Sequence, residues 1–327
     1  MKFLKKTLVL ALILCLVCTA ASAATFTDAH GNVIELDETL EAYTETVLHG
    51  ADDAARKAET NLGDLWADAL RWFAVSGAIN EYFEEDDVTA GNTAVDADAG
   101  HIVALWNGGN LRADIAEGKF GAEQLAEVLP YPNKVAVVYM TGAQLLEALE
   151  AASQALPCTE ESAAACASFM QVSGIRYTVD TAVAYDKGEA YGDKWFKAAS
   201  LGRVTIEEVN GQPFDAEAVY AVITSNANFN GMDSSYVFKA ASLGRVTIEE
   251  VNGQPFDAEA VYAVITSNAN FNGMDSSYVF KTAAEENEKS AITTAVVRDV
   301  IWLYVAGELN NVVGEAYAEA QGRITVR

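Results

Sequence analysis

The chain has 327 residues, 51% of them hydrophobic, with 21 Lys and Arg against 47 Asp and Glu and a formal net charge of -26. That length holds one large domain or two ordinary ones. The acidity excludes binding to a nucleic-acid polymer, which depends on Lys and Arg displacing counterions from phosphates, although a small anion can still bind where a few cations are focused.

Residues 1–23 read as an export signal. Lys2, Lys5 and Lys6 make a basic start, Leu8 to Val17 an apolar stretch too short to span a bilayer, and Ala21-Ser22-Ala23 a small-residue cleavage site. Cleavage after Ala23 is expected rather than lipid attachment at Cys18, because bulky Val17 precedes that cysteine. No later stretch is long and apolar enough to span a membrane, so a secreted, periplasmic or cell-envelope exterior location is expected. Residues 24–42 form a separate N-terminal segment in which Phe26 to Leu36 predicts a β-hairpin about a His-Gly-Asn turn. An Asp28-x-His30 pair can open a two-metal phosphoesterase site. Such a site draws His and carboxylates from several loops, and the chain has 3 histidines, His30, His49 and His101, with no Gly-Asn-His or His-x-His element. No metal or other cofactor is therefore expected in this chain.

Between Glu59 and Val75, Leu62, Leu65, Trp66, Ala69, Leu70 and Phe73 recur at helical spacing and predict a core helix. Glu84-Glu85-Asp86-Asp87 reads as a solvated loop, since calcium ligands at loop spacings are not present. The apolar run Ile102 to Trp106 then leads into Asn107-Gly108-Gly109-Asn110-Leu111-Arg112-Ala113-Asp114, with a helical pattern opening near Gly121. Two readings fit this loop. It is a plain turn, or a ligand loop in which Gly108 and Gly109 permit positive φ and leave no Cβ in the way, while Asn107 and Arg112 supply an amide and a cationic fork.

Leu129-Pro130-Tyr131-Pro132 predicts a rigid turn presenting an aromatic ring, followed by a strand over Lys134 to Met140. Thr141 begins a helix, with Gln144 completing a capping box and Leu145, Leu146 and Leu149 as its buried stripe. Cys15 and Cys18 belong to the signal, leaving Cys158 and Cys166. In an oxidising compartment these predict a local disulfide; a metal pair would need a nearby His or further Cys. Met170 to Val179 predicts one strand with Gly174 as a bulge or point of close approach.

From Phe196 the chain repeats itself: Phe196 to Lys239 is identical to Phe238 to Lys281, a period of 42 residues. Each copy carries a strand (Arg203 to Val209 in the first), an Asn-Gly turn (Asn210-Gly211), a second strand (Val219 to Thr224) and a polar aromatic loop, SNANFNGMDSSY. Solenoid units diverge and need about three repeats to bury a core, so a recent tandem duplication or an assembly error explains perfect identity better. Two identical strand pairs then compete for one place in a sheet. Glu285 to Ala306 predicts a closing helix with Ile292, Val296, Val300 and Leu303 on one face and Gly307 at its end, and Gln321 to Val326 a final short strand.

Taken together, ETNLGDLWADAL (Glu59 to Leu70), NGGNLRADI (Asn107 to Ile115), VLPYPNKV (Val128 to Val135), TGAQLLEALE (Thr141 to Glu150), FMQVSGIRY (Phe169 to Tyr177), the VNGQPFD segment and the terminal QGRITV resemble the C-terminal domain of the secreted 5′-nucleotidases, relatives of the UDP-sugar hydrolases and cyclic phosphodiesterases. The resemblance runs in order over residues 43–327. It implies an α/β (α+β) fold of mixed β-sheets covered by helices, similar to the family's four-layer α/β/β/α arrangement. It also implies a domain that grips the base and ribose of a nucleotide or nucleoside, while a separate metallophosphatase domain with two metal ions performs hydrolysis. Carried over by motif, Asn107, Gly108, Gly109 and Arg112 would hold the ribose and phosphate side. Tyr131 would stack on one face of the base, Phe229 or Phe271 on the other, and Asp233 or Asp275 would be the ribose-binding carboxylate. The sequence departs from the family in having Asn110 for a third glycine, Met232 for a glycine, and Ala58 where an arginine often stands, with Arg56 near enough to replace it. No catalytic residue is expected in this chain, and divalent metals enter only with a metallophosphatase partner on another chain. A stand-alone extracellular nucleoside- or nucleotide-binding protein and a truncated, non-functional fragment are the alternatives.

Overall fold

In the computed structural model, which describes residues 23–27, 31, 33–37, 41–51, 54–83, 95, 97–191, 194–242, 250–251, 254–255, 291–321 and 324–326, the first alternating runs pair as strands. β1 (Ala23–Thr27) and β2 (Val33–Asp37) are antiparallel with Thr27 opposite Val33. Asp28, His30, Cys15, Cys18 and the acidic run Glu84 to Asp87 lie outside the described residues. After β3 (Ala42–Thr44) comes α1 (Asn61–Val75), capped by Thr60, whose hydroxyl accepts from the Gly63 backbone at 3.1 Å. All six apolar residues expected on its inner face are buried.

β4 (Ile102–Asn107) is buried along its whole length, which explains an apolar run without alternation. β5 (Gly118–Phe120) and α2 (Ala122–Val128) lead to β6 (Lys134–Thr141) and α3 (Gly142–Ala152). The α3 capping box forms as the sequence predicts, Gln144 N donating to Thr141 Oγ1 at 3.2 Å and Thr141 N to Gln144 Oε1 at 2.9 Å. The stretch expected as one strand is two, β7 (Met170–Ser173) and β8 (Ile175–Val179), in different sheets. Gly174 makes the transfer at φ 81°, where a Cβ would lie 2.6 Å from Asn210 Oδ1 and 2.9 Å from Arg71 Nε. β9 (Lys187–Tyr191) and β10 (Trp195–Ala198) form a hairpin. β11 (Val204–Val209), β12 (Gln212–Pro213), β13 (Val219–Ser225), α4 (Asn226–Phe229) and α5 (Tyr236–Ser242) follow.

The first copy of the repeat therefore occupies the fold. Its Asn210-Gly211 turn has both residues left-handed, at φ 49° and 74°, as a tight hairpin requires. Of the second copy beyond α5, the described residues are β14 (Glu250–Val251) and β15 (Gln254–Pro255), which pair with each other in the register of Glu208 with Pro213. Phe271 and Asp275 lie outside the described residues. The closing helix begins later than the sequence predicts: Ala291–Val296 is a strand, β16, paired to β6, and α6 spans Val297–Gly307. β-branched Ile292, Thr293, Thr294 and Val296 favour the pleated conformation once the β6 edge is there to pair with. β17 (Val312–Val313) and β18 (Ile324–Val326) complete the described elements.

A five-stranded sheet, in the order β16-β6-β13-β4-β7, is the centre of the fold, with β13 and β4 parallel and the other neighbours antiparallel. Alternation along its strands feeds two cores. Ile102, Ala104 and Trp106 face α1, α2 and α6, while Val103 and Leu105 face α3, α5 and a second sheet, β12-β11-β8-β18. The result is a mixed α+β fold with helices on both faces of the central sheet. The C-terminal segment is tied back onto α1, Tyr317 OH donating to Asp68 Oδ2 at 2.9 Å and Gln321 N to Asp64 Oδ2 at 2.7 Å, and Ser173 at the end of β7 holds the other oxygen of Asp68 at 2.6 Å. Among the described residues no helix is long and apolar enough to cross a membrane.

Candidate functional site

The parallel pair β4 and β13 ends at two loops, and their side chains meet. Asn107, the last residue of β4, is buried; its Oδ1 accepts from Asn110 Nδ2 at 2.7 Å, and its Nδ2 lies 3.4 Å from both the Ala167 carbonyl and Asp233 Oδ2. Gly108–Asn110 form one 3-10 turn closed by Leu111 N on Gly108 O at 3.1 Å. Neither glycine is left-handed, contrary to the sequence expectation. They are needed because the loop is squeezed between two other turns. A Cβ on Gly108 would run into the Ala55 carbonyl, and one on Gly109 would lie 2.7 Å from the Ala167 carbonyl. Gly108→Ala should therefore cost about 1–3 kcal/mol, read as a lower midpoint in thermal unfolding. An unchanged midpoint would mean that the Ala55 turn moves aside at no cost.

Those flanking turns are themselves fixed. Buried Gln171 accepts from Thr60 N at 3.1 Å and donates to the carbonyls of Ala55 and Ala58 at 2.8 Å each, holding the turn Ala54–Arg56. On the other side, Cys158 and Cys166 are joined by a disulfide, S–S 2.06 Å, next to the turn Ala165–Ser168 that carries Ala167. Ser168 Oγ bonds the Ala152 and Ala165 carbonyls at 3.0 Å each.

The second loop, expected as irregular, contains α4 and a tight bend. Ser225 caps α4 by accepting from Asn228 N at 3.1 Å; buried Asn228 donates to Thr224 Oγ1 at 2.9 Å and accepts from Ser235 Oγ at 3.3 Å. Gly231 turns the chain at φ 79°, its carbonyl accepting from Tyr191 OH at 2.7 Å, and Asp233 follows in the left-handed region at φ 55°. Burial raises the Asp233 carboxyl above its ordinary value, and the positive charges of Arg56, Arg112 and Lys194 oppose that shift. In a chain this acidic, the charges that act most on this carboxylate are positive. Arg112 is exposed, with its backbone N anchored on Val128 O at 2.9 Å.

Tyr131 projects from its proline turn with 54% of its surface exposed, and Phe229 is half-buried against the second core. The chain segments that carry them are joined three residues from each ring, Lys134 N donating to the Asn226 side-chain oxygen at 3.0 Å. Among the described residues neither ring has an aromatic partner. The structure thus brings Asn107, Gly108, Gly109, Arg112, Phe229 and Asp233 to one end of the central sheet, with Tyr131 tied to the same end. Lys194 was not foreseen: a lone lysine in a hairpin turn carries no sequence signal. Gln171 and Asn228, which hold the loops, likewise read as ordinary strand and loop residues. Among the described residues no group of three or more His, Cys, Asp or Glu is placed to hold a metal ion.

Residues 41–240 match the family described as 5′-nucleotidase, C-terminal domain, well over half of the chain. The chain belongs to that family. Among curated relatives, the trifunctional nucleotide phosphoesterase protein YfkN of Bacillus subtilis (strain 168) is 33% identical over 136 residues, 42% of this chain and 8% of that protein. The cell wall protein Lmo0130 of Listeria monocytogenes serovar 1/2a is 28% identical over 211 residues, 61% of this chain and 21% of that protein. The chain thus spans only a small part of the length of either. Among solved structures, the 5′-nucleotidase precursor from Thermus thermophilus aligns with a TM-score of 0.49 at 24% identity, covering 88% of this chain and 39% of the other. The NAD nucleotidase of Haemophilus influenzae aligns with a TM-score of 0.49 at 13% identity, covering 93% and 48%. Asn107, Gly108, Gly109, Arg112, Tyr131, Phe229 and Asp233 all fall inside the family match, whereas Phe271 and Asp275 fall beyond it.

Proposed function

We propose that this domain is a nucleotide-recognition module that works outside the cytoplasm, with Asp233 and Asn107 holding ribose hydroxyls, Arg56 and Arg112 the phosphate, and Tyr131 and Phe229 the base. The observation that carries the reading is the meeting of Asn107 Nδ2 with Asp233 Oδ2 at 3.4 Å, at the end of the sheet to which Tyr131 is tied, and the positive charges of Arg56, Arg112 and Lys194 felt by that carboxylate support it. An ionised, partly buried carboxylate accepts hydroxyl donors strongly, an arginine fork matches phosphate oxygens, and an aromatic grip on a base contributes about 1–3 kcal/mol per base. YfkN is named a nucleotide phosphoesterase and Lmo0130 a cell wall protein, and both names agree with a nucleotide ligand met at the cell exterior.

Titration calorimetry with AMP, adenosine and UDP-glucose tests the binding role, and no heat with any of them refutes it. Arg112→Ala should weaken nucleotide binding about 10- to 100-fold, the range for a charge-assisted hydrogen bond, and weaken adenosine binding far less. Equal losses for both ligands would remove Arg112 from the phosphate. Hydrolysis, on this reading, belongs to a metallophosphatase domain that supplies its own divalent metals. Release of phosphate from AMP by the purified chain with Mn²⁺ or Zn²⁺, above metal-only controls, would overturn that division of labour.

A further inference from the structure

The two copies of the repeat overlap. Phe238 and Lys239 are the last two residues of the first copy and the first two of the second. In the structure they serve the first copy as part of α5, with Phe238 buried in the second core. To serve the second copy they would have to stand where Phe196 and Lys197 stand in β10. The two copies therefore cannot be folded into the domain at once. We propose that the chain exchanges between two registers, one with residues 196–239 in the fold and one with residues 238–281 in the same place, offset by 42 residues.

The packing permits it. Every core side chain that the first copy supplies has an identical counterpart: Tyr220, Val222 and Ile223, all buried in the central sheet, correspond to Tyr262, Val264 and Ile265. Differences begin only at the junctions, where Val237 would replace Trp195 at the start of β10 and Thr282-Ala283-Ala284 would replace Ala240-Ala241-Ser242 at the end of α5. The connections nearly cancel as well. Between β9 and β10 and between α5 and β16 the first register leaves about 3 and about 48 residues, the second about 45 and about 6. Loop-closure entropy then favours the first by only about two- to three-fold. A segment tethered through about 45 residues has an effective concentration in the millimolar range, so exchange within one chain outcompetes exchange between chains in dilute solution. The exchange also reaches the candidate site. Lys194 lies just outside the copied segment, and Tyr236 would stand in its place, so the second register has one cation fewer there. That consequence rests on the proposed binding role; the exchange itself does not.

The test needs no ligand. Val222 lies in the fully buried centre of β13, where an aspartate carboxylate cannot be solvated. In the full chain, Val222→Asp should force the second copy into the fold, and Val264→Asp should leave the first in place. Both single variants are expected to remain folded monomers with one cooperative thermal transition and an intact near-UV spectrum, and the double variant to unfold. If Val222→Asp is as unfolded as the double variant while Val264→Asp resembles the parent, the second copy cannot take the place and the proposal fails. It fails equally if Val222→Asp folds only as a dimer in size-exclusion chromatography, or if the double variant folds.

Discussion

Replacing Glu150 with alanine should destabilise the fold by about 3–5 kcal/mol. Glu150 on α3 is 1% exposed, and its carboxylate accepts three backbone N–H groups at the start of β11, from Gly202 at 3.3 Å, Arg203 at 3.2 Å and Val204 at 2.9 Å. Arg203 is 2% exposed, and its guanidinium donates to the Ser153 and Leu156 carbonyls at 2.8 and 2.9 Å, so it too is committed to α3 and the turn after it. Burial draws the Arg203 pKa below its ordinary value, and the Glu150 charge is the foremost of the charges that oppose the shift. Alanine would leave the buried N–H groups of Arg203 and Val204, and the part-buried one of Gly202, without their acceptor, and would remove the foremost charge that favours the buried Arg203 cation; both defects carry a desolvation penalty. Glu150→Gln keeps one acceptor oxygen, which can hold the place of Oε2 that takes all three N–H groups, while removing the charge and the second acceptor, so it should lose about half as much or less. Urea unfolding of the three proteins checks the order. Equal losses for Gln and Ala would mean that the charge, and not the hydrogen bonding, holds α3 to β11.

This hub also shows what the sequence could and could not disclose. Periodicity located α1, the strands around β6 and β13, and the capped start of α3, because each depends on residues within a few positions of one another. Glu150 and Arg203 are separated by more than fifty positions, and each alone reads as a solvated surface charge. The same limit applies at the candidate site. Asn107 and Arg112 stood out through their motif, but what keeps Asn107 in place is Ala167, Asn110 and Asp233, and what places Arg56 is Gln171, three segments away along the chain. The glycines of the loop were legible as points of close approach, but the surface they approach is the protein's own Ala55 and Ala167. The late start of the closing helix has a similar origin. Ile292 and Val296 fit a helical face in one dimension, and only the open edge of β6 makes the strand the better use of them.

Asp233→Asn should separate stability from binding at the candidate site. Because burial raises the Asp233 pKa above its unfolded value, the ionised carboxylate costs folding free energy at neutral pH. That cost is present above the raised folded pKa and is relieved as pH falls through it toward the ordinary carboxylate value, so on this account the wild-type domain gains stability over that interval. Asparagine carries no such cost and tolerates the left-handed backbone that residue 233 adopts at φ 55°. The variant should therefore be at least as stable as the parent at pH 7 and lack that segment of pH dependence, as thermal unfolding across pH 4 to 7 would show. Binding should move the other way. A ribose hydroxyl loses a charged acceptor, and the amide of Asn107, 3.4 Å away, loses the oxygen it faces in one of the two asparagine rotamers, so nucleotide affinity should fall about 10- to 100-fold. In the parent, affinity should also decline as pH drops through the raised pKa, and in Asp233→Asn it should not. A variant that loses several kcal/mol of stability would make Asp233 a structural residue whose three neighbouring cations serve to hold the bend. A variant that keeps both stability and affinity would leave the carboxylate without a part in recognition. On the proposed role, the partly buried carboxylate takes the hydroxyls of a ligand whose anion is drawn by the charges of Arg56, Arg112 and Lys194, and the two pH profiles measure both halves of that proposal.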